Sequence, residues 1–383
     1  MSANARGSPG RLSLSFQCSA WTPWRTLQWT AKQQEWSEMK KLLTIMVSIL
    51  LFSLGGAAQN AKPKSSAPVL RLVTSTPLPG IEGDFDHFAA DVKGNRLFLA
   101  GEEHKSVEVF NLRTGKHLQS IPGFDTPHSI LLLPESNKIF VVDGGVGEVK
   151  VLDAHTYVVK NSIKLLIDAD SMVYDAKAKK LYVTNGGRDA KPKTDYSLIS
   201  IIDTDSLKHL GDIKVDNDHI EAMAIEKSGP RLFLNITGKS QIGVFDREKK
   251  ELLTTWNVPD AEQNVPMAFD EASHRLFIAT RKPPKMIVFD TESGHAVASL
   301  PASGRADDMR YDAAHKRIYV AAGEGFVNVY SQQDPDHYQV VGKVPTGPVA
   351  KIATYVPELN RLYVAVSAKD KAPARVMIFQ ARP

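Results

Sequence analysis

One repeated unit restricts the fold of this chain more than any other feature. Between Leu97 and Leu362, an apolar strand of the form Arg-Leu-(Phe/Tyr)-aliphatic, a second strand and an Asp-containing turn recur seven times. The anchoring aliphatic residues, which lie 42, 42, 51, 44, 42 and 44 residues apart, are Leu97, Ile139, Leu181, Leu232, Leu276, Ile318 and Leu362. A period of this length, built from strands, predicts a seven-bladed β-propeller.

A second anchor follows each first anchor, usually after thirteen residues. The second anchors are Phe110, Leu152, Ile202, Phe245, Phe289, Tyr330 and Phe379. Each pair of anchors predicts two antiparallel strands. The strands are short, rich in β-branched and aromatic residues and bounded by Gly, Asp, Asn and Pro, so we expect an all-β fold with no helix after residue 60.

The two ends of the repeat region complement each other. Residues 69–73 alternate like a strand before the first full repeat, whereas the last repeat stops at Phe379 without an outer strand. We therefore predict that the N-terminal strand completes the last blade, which removes two open sheet edges. The long 51-residue gap contains an insertion, residues 188–196, which we expect to be a surface loop.

The first 58 residues do not share the repeat. Met39-Lys40-Lys41 leads into an apolar stretch over residues 42–54 and then Gly-Gly-Ala-Ala. This order is typical of a secretory signal peptide, and its apolar core is shorter than the roughly twenty residues that span a bilayer. We interpret 1–38 as a mistranslated leader, 39–58 as a cleaved signal peptide, 59–68 as a linker and 69–383 as one propeller domain. An uncleaved tether is the alternative.

Removal of the first 58 residues changes the charge of the chain. They hold six Lys/Arg and two Asp/Glu, which leaves 41 of each in the remainder, and they hold the one cysteine, Cys18. A formally neutral remainder gives no general reason to bind nucleic acid. Without cysteine the propeller has no disulfides, so its packed blades must stabilise it. We expect a periplasmic or secreted monomer.

Several repeats carry a recognisable signature. Leu181-Tyr182-Val183-Thr184-Asn185 contains the letters YVTN, and residues 97–100, 318–321 and 362–365 are variants of it. Over roughly residues 69–381 the chain resembles the YVTN-repeat β-propellers of bacterial cell envelopes. The resemblance implies the fold but not the chemistry, because such propellers include binding proteins and, more distantly, lactonases and quinoproteins.

One register position predicts a ring of polar residues. Eleven residues before each first anchor, where the innermost strand of a blade starts, stand Asp86, His128, Asp170, Glu221, Val265, Asp307 and Lys351. Because innermost strands line the channel of a propeller, these residues should surround its mouth. His87, His219, Arg305 and Asp308 should join them, with Asn185, Asn235, Arg281, Lys282 and Glu324 coming from neighbouring loops.

The ring allows more than one interpretation. Charged residues at strand starts can satisfy loop amides and bind water in a wet channel, with no ligand. Alternatively, a concave polar mouth on a rigid scaffold is a ligand site, made of Asp86, His87, His128, Asp170, Glu221, Arg281, Asp307 and Lys351. A divalent cation is a further alternative, with Asp86, His128, Asp170 and Glu221 as candidate ligands. Met172, Met223, Met267 and Met309 share another register position, which we expect to be apolar packing rather than a copper site.

Hydrolase and protease signatures are absent from the sequence: it has no Gly-x-Ser-x-Gly and no His-Glu-x-x-His. The expectation is therefore a non-enzymatic exported propeller that binds a small molecule or a protein partner at the channel mouth. The alternative is a metal-dependent, lactonase-like propeller hydrolase, in which acidic residues hold the cation and a carboxylate or histidine moves protons.

Overall fold

The computed structural model describes residues 68–382, which form 28 strands and four short 3-10 turns. The strands make seven antiparallel sheets of four strands each. Contacts between the innermost strands of the first and last sheets close these blades into a ring. The predicted leader and signal peptide, and nearly all of the predicted linker, lie outside the described residues. The seven-bladed, all-β fold is as predicted.

The first four blades follow the chain in order. Blade 1 consists of β2 (Phe88–Asp91), β3 (Arg96–Gly101), β4 (Ser106–Asn111) and β5 (His117–Pro122). Blade 2 consists of β6 (Pro127–Leu133), β7 (Lys138–Asp143), β8 (Glu148–Asp153) and β9 (Val159–Lys164). Blade 3 consists of β10 (Met172–Asp175), β11 (Lys180–Gly186), β12 (Ser197–Asp203) and β13 (His209–Val215). Blade 4 consists of β14 (Met223–Ile225), β15 (Arg231–Ile236), β16 (Gln241–Asp246) and β17 (Glu251–Asn257).

The remaining blades include the one that joins the two ends of the repeat region. Blade 5 consists of β18 (Glu262–Asp270), β19 (Arg275–Lys282), β20 (Pro284–Asp290) and β21 (Ala296–Pro301). Blade 6 consists of β22 (Ala306–Asp312), β23 (Arg317–Ala322), β24 (Phe326–Gln332) and β25 (Tyr338–Pro345). Blade 7 consists of β26 (Ile352–Val356), β27 (Arg361–Val366), β28 (Ala374–Ala381) and β1 (Leu70–Leu78). The 3-10 turns are Pro134–Ser136, Thr237–Lys239, Glu271–Ser273 and Pro357–Leu359.

The two series of anchors explain the register of every blade. In all seven sheets the first anchor on the second strand lies directly opposite the second anchor on the third strand, as in the pair Leu97 and Phe110. These side chains are almost fully buried. They pack with residues of the neighbouring blade, so the core is a series of apolar layers between blades.

The N-terminal strand closes blade 7, as predicted. β1 pairs antiparallel with β28 from Leu70, opposite Ala381, to Leu78, opposite Ala374. Leu70 and Leu78 are 3% and 2% exposed. Leu70 packs in the layer shared with blade 6, and Leu78 in the layer shared with blade 1. The strand therefore contributes core residues to both neighbouring interfaces, besides its backbone hydrogen bonds.

The outer edge of each blade carries a β-bulge at the same place. In all seven sheets the pairing of the outermost strand shifts by one residue beside the second anchor. The extra residues are Leu118, Lys160, Leu210, Leu253, Val297, Val341 and Val73. A bulge twists an edge strand and disrupts its ladder, so these edges are poor templates for pairing with another chain.

Candidate functional site at the channel mouth

The predicted ligand-binding residues come together in the structure. A cavity of about 210 Å³ lies where the innermost strands begin. All eight residues proposed from the sequence line it, together with Glu102, Ser171, Ala222 and Val265. The eight are Asp86, His87, His128, Asp170, Glu221, Arg281, Asp307 and Lys351. The structure thus gathers the ring into one polar cavity, and ligand binding there remains a prediction.

Backbone hydrogen bonds hold the ring positions at the channel mouth. The amide of Asp86 donates to the Ala100 carbonyl at 2.9 Å, and Asp170 and Glu221 make the equivalent bonds to Thr184 and Asn235 at 3.0 Å. Each bond extends the ladder between first and second strands beyond the end of the regular strand. The side chains are therefore fixed by sheet geometry and not by long loops, which favours a preformed site.

Two histidines share the Asp86 carboxylate. His128 Nδ1 lies 2.6 Å from Asp86 Oδ2, a charge-assisted hydrogen bond between blades 1 and 2. His87 Nε2 lies 3.5 Å from Asp86 Oδ1, and its Nδ1 lies 3.3 Å from Asp308 of blade 6. Burial lowers the pKa of both imidazoles, but the surrounding carboxylates outweigh it and raise each pKa to about 10. Burial likewise opposes ionisation of Asp86, yet the two histidines hold its pKa below the ordinary value. We infer an ion-paired cluster with both imidazoles protonated at neutral pH.

Asp170 and Glu102 lie in a different electrostatic environment from Asp86. Burial raises the pKa of Asp170 to about 7; the Asp86 and Glu221 carboxylates add to the effect, whereas His128 opposes it. Burial, helped by Asp86, raises the pKa of Glu102 to about 7 as well. Both carboxyls are therefore only partly ionised near neutral pH in the free protein, so a bound cation would favour their ionised forms.

The opposite side of the mouth is a closed network of ion pairs. Asp307 accepts from Arg281 Nη2 at 2.5 Å and from Lys351 Nζ at 2.8 Å. Lys351 also contacts Asp84 Oδ2 at 3.1 Å. Burial raises the pKa of Asp307 in spite of these two cations, and the carboxylates raise the pKa of Lys351 although burial opposes it. Blades 5 to 7 thus bring their charges to the cavity already neutralised.

Glu221 connects the cavity to the insertion between β11 and β12. Its carboxylate lies 3.0 Å from His219 Nε2, which in turn lies 3.1 Å from Arg188 Nη2. The amide of Arg188 donates to the carbonyl of Asp218 at 2.9 Å, which ties the predicted surface loop to blade 4. The insertion therefore stands beside the mouth and is linked to one of its acids.

Three of the four proposed metal ligands are close to one another. Asp86, His128 and Asp170 each offer a ligand atom within 4.8 Å of the others, and Glu221 is not part of this group. Carboxylate oxygens and an imidazole nitrogen suit several divalent cations. The 2.6 Å contact between Asp86 and His128, however, is the length of a hydrogen bond, with a proton on Nδ1. A metal bound through Nδ1 would have to displace that proton.

Glu102 was not predicted as a site residue, although the repeat register identifies its position. Glu102 stands five residues after its anchor, Leu97, and Arg281 stands five residues after Leu276. Glu102 directly follows the second strand of blade 1, Arg281 lies near the end of the second strand of blade 5, and both line the cavity. Examining the position five residues after the anchor in all seven blades would have identified Glu102.

Other proposed ring members have structural roles or point elsewhere. Asn185 and Asn235 are buried rather than on loops. Asn185 donates to Ser200 Oγ, and Asn235 donates to the carbonyl of Val265. Arg305, Lys282 and Glu324 are exposed and do not line the cavity. Asp308 lies deeper in the channel, where it accepts from the amide of Ala353 at 3.0 Å.

A second cavity of about 160 Å³ continues the channel behind the mouth. Four residues line both cavities: His87, Ser171, Ala222 and Asp307. The imidazole of His87 is the one aromatic side chain among these four. The four methionines of the shared register also reach this inner cavity. Met223, Met267 and Met309 are buried members of three layers between blades, which agrees with the expected apolar packing.

Comparison with known proteins supports the fold. The chain is 22% identical over 241 residues to the uncharacterized protein YncE of Salmonella typhi, a match that covers 61% of this chain and 64% of YncE. YncE of Salmonella typhimurium strain LT2 matches to the same extent. The chain thus spans about 64% of the length of these relatives. No model of a known protein family matches.

A solved structure gives the same fold. Hydrazine synthase of Kuenenia stuttgartiensis superposes with a TM-score of 0.64 at 16% identity, covering 75% of this chain and 95% of the matched chain. At this level of identity the likeness concerns the fold alone. The seven-bladed architecture is therefore supported by the repeats, the sheet topology and the neighbour, whereas the chemistry of the site has to be argued from its own residues.

Proposed function

We propose that this chain is an exported propeller of the YVTN-repeat type that binds a small polar ligand in the mouth cavity. One observation carries the proposal: eight residues named from the sequence, six of them for their shared register, line a single cavity. Ligand sites of drug-sized molecules usually enclose about 300–1,000 Å³. A cavity of about 210 Å³ favours a smaller molecule over a protein segment as the occupant.

Export is supported by the order of charged, apolar and small residues from Met39 to Ala58. Within residues 68–382, no helix is both long enough and apolar enough to cross a bilayer. We propose a periplasmic or secreted location. Intact-mass analysis of protein from the native host should find an N-terminus near Gln59, and a mature chain that starts at Met1 would contradict export.

The binding proposal is tested by a thermal-shift screen of small polar molecules, followed by calorimetry of each hit. The double variant Asp86→Asn, Asp170→Asn should fold and should bind a hit at least tenfold more weakly. His274→Ala and His295→Ala, at exposed histidines distant from the cavity residues, are the matched controls and should bind normally. A double variant that unfolds on warming yet binds normally in the cold would make the ring structural.

A hydrolase is the second candidate, because one observation favours it. Asp170 faces the cavity with a pKa of about 7, the range in which a carboxyl group exchanges protons efficiently at neutral pH. Asp86, His128 and Asp170 together would hold a divalent cation in a metal-dependent, lactonase-like reaction. Turnover of a lactone panel, with and without added divalent metal, tests this candidate. Turnover that Asp170→Asn abolishes would replace binding as the proposed function.

A further inference from the structure

The acids that line the mouth cavity differ in whether the protein neutralises them. Five carboxylates line it: Asp86, Glu102, Asp170, Glu221 and Asp307. Asp86 is bonded to His128, Glu221 contacts His219, and Asp307 contacts both Arg281 and Lys351. Three of the five acids therefore have a basic partner within 3.0 Å. Glu102 and Asp170 do not.

Glu102 makes no ion pair with the described residues. Its half-buried carboxylate also makes no hydrogen bond within residues 68–382. The lysine nearest in sequence, Lys105, extends away to Asp125, with 2.6 Å between Nζ and Oδ1. The connection after β3 thus carries an acid to the cavity without a partner.

The Asp170 carboxylate also lacks a close basic partner. The nearest cationic atom is His128 Nδ1 at 3.7 Å, and that atom is already bonded to Asp86 at 2.6 Å. The Asp170 side chain is 30% exposed, and it lines the cavity. A carboxylate in a cavity with no full partner loses hydration without gaining a compensating ion pair.

The basic groups of the cavity, by contrast, all lie beside carboxylates. Lys351 contacts two carboxylates and Arg281 contacts one, while the imidazoles of His87 and His128 contact Asp86. An anionic ligand would have to compete with these acids for the cationic groups. A cationic ligand would meet Glu102, which makes no ion pair with the described residues, and Asp170, whose nearest cationic atom is 3.7 Å away, so electrostatic complementarity favours the cation.

We propose that the ligand of the mouth cavity carries an organic ammonium group, which the carboxylates of Glu102 and Asp170 recognise. The inference rests on the proposed binding function and adds the chemical class of the ligand. The ammonium group supplies the close cationic partner that the two acids lack, and the cavity limits the ligand to a small molecule. Putrescine, a four-carbon diamine, is a suitable probe because neutral and anionic molecules of the same length exist.

Isothermal titration of the purified full chain at pH 8 with putrescine, 1,4-butanediol and succinate tests the proposal. Putrescine should bind, and the diol and succinate should bind at least tenfold more weakly or not at all. Glu102→Gln and Asp170→Asn should each weaken putrescine binding tenfold or more. Glu103→Gln makes the same change at the exposed neighbour and should bind as the wild type does.

The outcomes separate the two proposals. Preferential binding of succinate, or of any anion found in the wider screen, would overturn the cationic class and leave the binding function standing. Stoichiometric binding of Ca²⁺ or Zn²⁺ without putrescine binding would overturn it in favour of a metal site. If neither the probes nor the screen yields a ligand, both proposals fall. Thermal melts of the variants should match or exceed the wild type, because each removes an uncompensated carboxylate.

Discussion

Two groups of buried charges, on opposite faces of the propeller, follow different rules. On the face opposite the mouth, Arg247 is 7% exposed and lies between blades 3 and 4. It contacts Asp175 at 3.0 Å and donates to the carbonyls of Glu226 and Arg231 at 2.8 and 3.0 Å. The amides of Lys177 and Ala178 bond the other Asp175 oxygen. Every guanidinium nitrogen there has a partner.

At the mouth, two carboxylates remain without a full partner inside a cavity. The comparison distinguishes buried charges that stabilise this fold from those that are candidates for ligand binding. A charge whose hydrogen bonds are complete within the protein contributes to the structure, and its removal leaves groups unsatisfied. A charge left incomplete beside a cavity costs stability and is a better candidate for ligand recognition.

The largest effect should come from the scaffold on which both groups depend. Deleting residues 69–78 removes β1, two buried leucines and the ladder with β28. The loss should exceed about 5 kcal/mol, which is comparable to the whole stability of many domains. Cooperative thermal unfolding, followed by circular dichroism, should disappear. A truncated protein that melts within a few degrees of the intact chain would mean that neither group of charges needs a closed ring.

A smaller loss is expected from the satisfied charge. Arg247→Met leaves Asp175 and two carbonyls without their partner, so the free energy of unfolding should fall by about 3–5 kcal/mol in urea titration. At the mouth, Glu102→Gln removes a carboxylate that makes no ion pair in the described part of the chain, so the free energy of unfolding should not fall. Equal losses at the two sites would remove the distinction drawn here.

The smallest effect concerns the pH dependence of the unsatisfied charge. The pKa of Asp170 is about 7 in the folded protein, well above the ordinary aspartate value, so between pH 4 and pH 7 the folded state binds more protons than the unfolded state. The Asp170 contribution to stability therefore falls as the pH rises through this window. Relative to wild type, Asp170→Asn should gain about 1–2 kcal/mol between pH 5 and pH 7.5.

Urea titrations of both proteins at the two pH values measure that difference directly. Stability curves of the variant and the wild type that run parallel across the window would show that Asp170 titrates normally. In that case its environment would be as well compensated as that of Asp175, and the mouth would not differ from the opposite face.

The repeats in the sequence are enough to predict the architecture. Seven anchors such as Leu97, each opposite a partner such as Phe110, specify the strand pairs. The reason is that successive side chains of a strand face opposite sides of the sheet, so buried residues fix the register. The unpaired strand at one end and the incomplete blade at the other predicted the closure by β1. The ring of polar residues was predictable as well, because a register position that recurs in every blade lies at one height in the channel.

Which charges of that ring are neutralised depends on how the blades pack in the folded protein. Whether Asp307 pairs with Lys351, or Asp86 with His128, depends on distances between side chains of different blades. Residues more than forty positions apart in the chain meet there. The repeat pattern does not specify how far each side chain extends or which neighbour it contacts. For the same reason the burial of Asn185 and Asn235 and the isolation of Glu102 were not apparent from the sequence. The repeats specify which positions face the channel mouth, whereas pairing across blades specifies which charges remain for a ligand.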